Sequence, residues 1–153
     1  MAFITPDELR SVLYSYQIDE ITEEDNSIAL MAIDSAISEV KSYLNPSAQR
    51  KWNDGRLQFD VKEIFDKTGA ERDALILEIC KDIAAYRICR LSNVDVIYEN
   101  VRERYRDAID WLTKVASGEI TPNLPIIDND DDNQSNNKNE LFRYGSRRKF
   151  RHE

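Results

Sequence analysis

Apolar residues recur at three- and four-residue steps along four stretches of the chain, a spacing that predicts helices. In "TPDELRSVLYSY", Leu9, Val12, Leu13 and Tyr16 form one stripe; Thr5 is the cap, Pro6 fits the first turn and Glu8 completes a capping box. The second helix follows "ITEED", with Asn26 or Ser27 as cap and acids that suit the positive helix end. Its stripe is Leu30, Ile33, Ile37, Val40 and Leu44, widened by Met31, Ala36 and Tyr43. Asn45-Pro46 ends it, because proline disfavours helix in the residue before it. Asp73 caps a third helix running to about Leu91, with Ile76, Ile79, Ile83 and Tyr86 on its core face and Leu75, Ala84 and Ala85 alongside. After the break "SNVD", with Asn93 or Asp95 as the next cap, "VIYENVRERYRDAIDWLTKVAS" carries Ile97, Val101, Tyr105, Ala108, Trp111, Leu112 and Val115. Gly118 falls where a left-handed residue would end that helix, and "EITPNLPI" beyond it is an extended, proline-set strip.

Residues 45–72 are less regular. Asp54-Gly55 is a turn pair, and Leu57, Phe59 and Val61 alternate with polar residues, which fits either one short strand or an extended loop. Ile64 and Phe65 are expected to anchor this stretch to the core, while Trp52 reads equally as a core plug or an exposed contact. Helices without βαβ alternation predict a small all-α, four-helix domain over residues 1–127 with an irregular excursion between helices two and three. A polar Asp- and Asn-rich linker (128–140) and a basic, aromatic, extended arm (141–153) follow it.

Composition narrows the class. A chain of 153 residues forms one compact domain with appendages, and 41% hydrophobic with 33% charged residues fits exposed helices around a modest core. Four Gly and four Pro are few for an all-β sandwich. The apolar windows fall short of the roughly 18–20 residues that cross a bilayer. "MAFITPDELR" does not read as a secretory signal, so synthesis in the cytoplasm is expected. Residues 1–127 hold 23 acidic and 15 basic residues, so the expected folded part alone accounts for the net charge of −8.

Candidate chemistry is sparse. Cys80 and Cys89 lie nine residues apart in one predicted helix, about 180° round and roughly 13.5 Å along it. A disulfide needs Cα atoms within about 7 Å, so both read as packing residues. Asp128, Asp130 and Asp132 match the first half of a calcium-binding EF-hand loop, but Asn133 replaces its glycine and Asn139 its bidentate glutamate, so a polar spacer is expected. Phosphate-loop, HExxH, GxSxG and CxxC motifs do not occur, and His152 is the single histidine. The expectation is a protein without catalytic residue, metal site or cofactor. In "NVRERYRDAIDW" charge signs alternate along a helix; Arg102, Glu103 and Arg106 mark either a solvated face or an interface with another subunit.

The arm holds Phe142, Arg143, Tyr144, Arg147, Arg148, Lys149, Phe150 and Arg151, with no acid from 141 to 152. Arg and aromatics anchor protein interfaces and also stack and neutralise single-stranded nucleic acid.

"FITPDEL", "AIDSAISEVKSYL", "FDVKEIFDKTGAERDALILEICKDIAAYRICRL" and "VRERYRDAIDWLTKVASGEITPNLP", in that order, resemble the Mu-like prophage neck protein family, long catalogued as a domain of unknown function. That family is similar to tailed-phage head–tail connector (adaptor) proteins. The resemblance covers roughly residues 3–125, and "NPSAQRKWNDGRLQ" looks longer than the usual connection. It implies a non-catalytic helical protomer in the virion neck, assembled with itself as a closed ring of about twelve copies beneath the portal protein. Such a ring extends the DNA channel and offers a platform for stopper or tail proteins. Some acids would then line a lumen that repels genomic DNA and binds no particular sequence. The arm would dock on the portal or a neighbouring subunit. The rival expectation is a nucleic-acid-binding packaging accessory that uses the same arm.

Overall fold

The structure, a computed structural model, describes residues 3–22, 25–45, 58–91 and 99–127. These residues are all-α. Four helices have eight or more residues: α1 (Ser15–Thr22), α2 (Asn26–Leu44), α4 (Ala74–Leu91) and α5 (Glu99–Ser117); the short α3 (Val61–Asp66) and 3-10 turns at Pro6–Ser11 and Gly69–Glu71 complete the set. Pro46, Trp52, Asp54, Gly55, Leu57, Asn93, Asp95, Ile97 and everything after Ile127 lie outside the described residues.

α4 is the central helix, packed against α1, α2, α5 and the Pro6–Ser11 turn. It buries Ile76, Ile79, Cys80, Ile83, Ala84, Ala85, Ile88 and Cys89, so its apolar residues surround much of the axis instead of forming one stripe. Both cysteines are free, as expected of packing residues, and burial pushes the Cys80 thiol up to about 12. Asp73 is the cap: its Oδ1 accepts the Ile76 N–H at 2.9 Å. Leu75, expected beside the core, is 44% exposed, and Tyr86 is half-buried.

The first predicted helix is split. The Thr5–Glu8 capping box closes, with Glu8 Oε2 accepting the Thr5 N–H at 2.9 Å, but the 3-10 turn ends at Ser11. α1 then starts afresh. Tyr14 O accepts the Gln17 and Ile18 N–H groups, and Gln17 Oε1 accepts the Tyr14 N–H at 3.3 Å. The restart resets the helical phase, so Ile18 and Thr22 turn inward and Tyr16, expected on the core stripe, is 62% exposed and stacked on Tyr14.

On α2 the cap is Asp25, one residue before the expected pair; its Oδ1 accepts the Ser27 N–H at 2.8 Å. The buried stripe is Ala29, Ala32, Ile33, Ala36, Val40 and Leu44. Leu30 (47% exposed) and Met31 (61%) were expected in the core and are not there. α2 packs chiefly on α4, and turning its alanines toward that helix permits close approach at the expense of larger, outward-facing side chains.

α3 and the strip after α5 close the bundle. Ile64 and Phe65 are buried as expected, and the Phe65 ring lies 4.7 Å from that of Phe3. Leu57 lies outside the described residues; of the alternating residues after it, Phe59 forms one isolated antiparallel bridge, with Ile126. Asp60 N–H donates to Pro125 O and Ile127 N–H to Gln58 O, both at 2.8 Å. Val61 instead begins α3, where Asp60 Oδ1 accepts the Glu63 N–H at 2.9 Å. α5 ends at Gly118, whose φ of 81° is the left-handed conformation expected there.

Candidate functional site

Two ion pairs fasten the elements that present the surface. Arg72 reaches across the fold to Glu8, Nη2 to Oε1 at 2.6 Å and Nη1 to Oε2 at 3.1 Å, and also donates to the carbonyls of Phe3 (2.6 Å) and Gly69 (2.8 Å). The Arg72 hydrogen bonds, against the opposing effect of burial, hold the Glu8 carboxyl at about 2. Arg87 on α4 donates to Glu39 on α2 at 2.6 Å, and Tyr105 on α5 donates to the other Glu39 oxygen at 3.1 Å. Tyr105 also stacks on Tyr86, with ring centroids 4.1 Å apart. The Glu39 hydrogen bond raises the Arg87 pKa, and burial leads the rise at Tyr105. One cluster thus ties α2, α4 and α5 together.

α5 shows three faces. Val101, Ala108, Leu112 and Val115 are buried. Arg102, Glu103 and Arg106, the three residues singled out in the sequence, lie on an outward ridge with Glu99 and Asp110. There Arg102 pairs with Glu99 at 3.7 Å, and Lys114 with Asp110 at 2.7 Å. Glu103 and Arg106 have no ion-pair partner among the described residues. Both side chains are exposed.

The third face lines a groove of about 670 Å³ between α4, α5 and the end of the Pro6–Ser11 turn. Leu75, Glu78 and Asp82 come from one wall and Arg104, Asp107 and Trp111 from the other, each set at i, i+3 (or i+4) and i+7 spacing. Asp82 is half-buried, and its pKa is raised to about 6. Burial is the main cause; Glu78 and Asp107 add to it, and Arg104 opposes. Lys81 Nζ donates to Ser11 Oγ at 3.4 Å on the rim. The arrangement suits binding: an apolar floor with more negative than positive charge around it. The sequence reading missed this groove because it assigned Leu75 and Trp111 to the core. The signal lay in the two matching spacings, but only the packing of α4 on α5 brings them together.

The arm residues Phe142, Arg143, Tyr144, Arg147, Arg148, Lys149, Phe150 and Arg151, and the acidic run at Asp128–Asp132, lie outside the described residues. Among the described residues no group of His, Cys, Asp and Glu is placed to hold a metal ion, and no helix is long and apolar enough to cross a membrane.

A family model described as Bacteriophage Mu, Gp36 matches residues 70–141, just under half of the chain. This supports the phage resemblance but moves its limits. The matched stretch holds α4, α5 and the linker, whereas "FITPDEL" and "AIDSAISEVKSYL" fall outside it and the acidic run, first placed beyond the resemblance, falls inside. No curated protein and no solved structure matches the chain. Over the part that builds both the outward ridge and most of the groove, the chain is similar to a bacteriophage protein family.

Proposed function

We propose that the chain is a structural virion protein, a subunit of the head–tail connector (adaptor) ring that binds beneath the portal, extends the DNA channel and links the capsid to the tail. The observation that carries this reading is the match of the α4–α5 half to a bacteriophage family. The helical body supports it: two charged residues of the α5 ridge, Glu103 and Arg106, lack ion-pair partners among the described residues and suit contact with a neighbouring copy. The excess of acidic residues in 1–127 suits a lumen from which DNA phosphates are repelled. The protomer acts by assembly, without catalysis or cofactor, in the virion neck. Its partners are the portal protein, further copies of itself, stopper or tail proteins and passing DNA. The basic aromatic arm docks on the portal or a neighbouring subunit through Phe142, Arg143, Tyr144, Arg147, Arg148, Lys149, Phe150 and Arg151.

Co-sedimentation with portal tests the arm. Full-length protein is expected to bind, and protein lacking residues 141–153 to stay folded and lose portal binding. Unchanged binding by the truncated protein refutes the docking role. Strong, steeply salt-dependent retention of DNA by the full chain, without portal binding, favours the packaging-accessory reading instead.

A further inference from the structure

We propose that the groove between α4 and α5 is the resting dock of the chain's own basic aromatic arm, residues 141–153, in the free subunit. This rests on reading the arm as a docking element, but not on the portal as its eventual partner.

Three observations converge on it. The groove has a partly exposed apolar lining at Val12, Leu75 and Trp111, in a space of about 670 Å³, within the usual range of sites that enclose a compact guest. The arm offers Phe142, Tyr144 and Phe150 to such a lining.

Charge is complementary. Glu78 and Asp107 on the groove walls have no hydrogen-bond or ion-pair partner among the described residues. Asp82 is half-buried, and burial is the main reason its pKa is raised to about 6, with Glu78 and Asp107 adding and Arg104 opposing; the lining thus sets the three acids Glu78, Asp82 and Asp107 against the two cations Lys81 and Arg104. The arm carries Arg143, Arg147, Arg148, Lys149 and Arg151, and its single acid is Glu153. Guanidinium groups suit carboxylates set beside an apolar surface, because they are weakly hydrated and stack on aromatic rings.

The chain passes near one end of the groove shortly before Ile127, the last described residue, which itself pairs with Gln58. Leu124 and Pro125 lie in a cleft with Asp73 and Ala74 at the start of α4, and Ala74 lines the groove as well. Thirteen residues, the length of 128–140, are enough chain to span roughly 20 Å. The groove wall from Leu75 to Asp82 is only about 10 Å long. The arm therefore reaches the groove within one chain, at an effective concentration on the order of millimolar.

Zero-length carbodiimide coupling of the full-length protein, mixed as natural-abundance and 15N-labelled chains, tests this directly. Lys149 is expected to form amide links to Glu78, Asp82 or Asp107. These links should join peptides of one isotopic kind and fall several-fold at about 0.5 M salt, where the Debye length is only a few ångströms. The double variant Phe142→Ser/Phe150→Ser, altered only outside the helical body, is expected to lower them several-fold as well. Links that run mainly to Asp128–Asp132 or are scattered over the surface overturn the proposal, as does a yield that the double variant leaves unchanged. Links that join the two isotopic kinds assign the groove to a second copy's arm and overturn it too. Loss of these links with portal binding intact removes only the groove; loss of portal binding with the links intact removes only the connector reading.

Discussion

Replacing Glu8 by Gln tests how the N-terminal segment is held to the helical body. Arg72 grips Glu8 in a two-point fork that is mostly shielded, with side-chain exposures of 12% for Arg72 and 28% for Glu8. The fork, helped by the Thr5 N–H and opposed by burial, lowers the Glu8 pKa from 4.5 to about 2. At about 1.36 kcal/mol per unit, that shift corresponds to roughly 3.4 kcal/mol. Solvent screening of a pair at the edge of the fold reduces this to about 2 kcal/mol. Because the folded-state pKa is depressed, the contribution is complete above the unfolded value near 4.5 and is lost as pH falls through about 2. Urea unfolding of both proteins, followed by helical circular dichroism, reads the difference as a shift in midpoint at unchanged slope. Near neutral pH the native chain is expected to be more stable than Glu8→Gln by about 2 kcal/mol, with more than half of that gap gone by about pH 3. A gap that stays constant across this range, or one below about 0.5 kcal/mol at neutral pH, refutes the reasoning.

Other perturbations probe separate parts of the fold. Ile33→Ala, on the buried stripe of α2, is expected to cost about 3 kcal/mol in urea unfolding, whereas Leu30→Ala three residues earlier stays within about 0.5 kcal/mol. Equal costs would restore the stripe drawn from the sequence. Gly118→Ala forces an L-residue into φ 81° and should cost about 1–2 kcal/mol, seen as a lower Tm. Cys80, buried and with its thiol pushed up to about 12, should resist alkylation at neutral pH until denaturant is added; rapid native-state labelling by mass spectrometry contradicts its placement.

How much of this was legible in the sequence depended on what each element packs against. α4 begins at its expected Asp73 cap and α5 ends at its expected Gly118, while the expected start of α5 at Asn93 or Asp95 lies outside the described residues. On α2 Ile33, Ala36, Val40 and Leu44 are buried as expected, but a pattern weighted by side-chain size also selects Leu30 and Met31, where the structure buries Ala29 and Ala32 instead. The break at Val12–Tyr14 was invisible, since the stripe from Leu9 to Leu13 continues through it and only the Gln17 side chain signals a new start. The pairs Glu8–Arg72 and Glu39–Arg87 join residues 64 and 48 positions apart, a distance over which neither helical nor strand periodicity carries information. The groove was hidden for the same reason: Leu75 and Trp111 look like core residues until α4 and α5 leave a gap between them.

Connector assembly is tested most directly by electron microscopy of the full-length protein mixed with its portal. The expected projection shows closed rings of the small helical protein stacked coaxially on the portal, with a continuous central channel. Portal particles that remain bare while the protein stays monomeric at saturating concentration would contradict it.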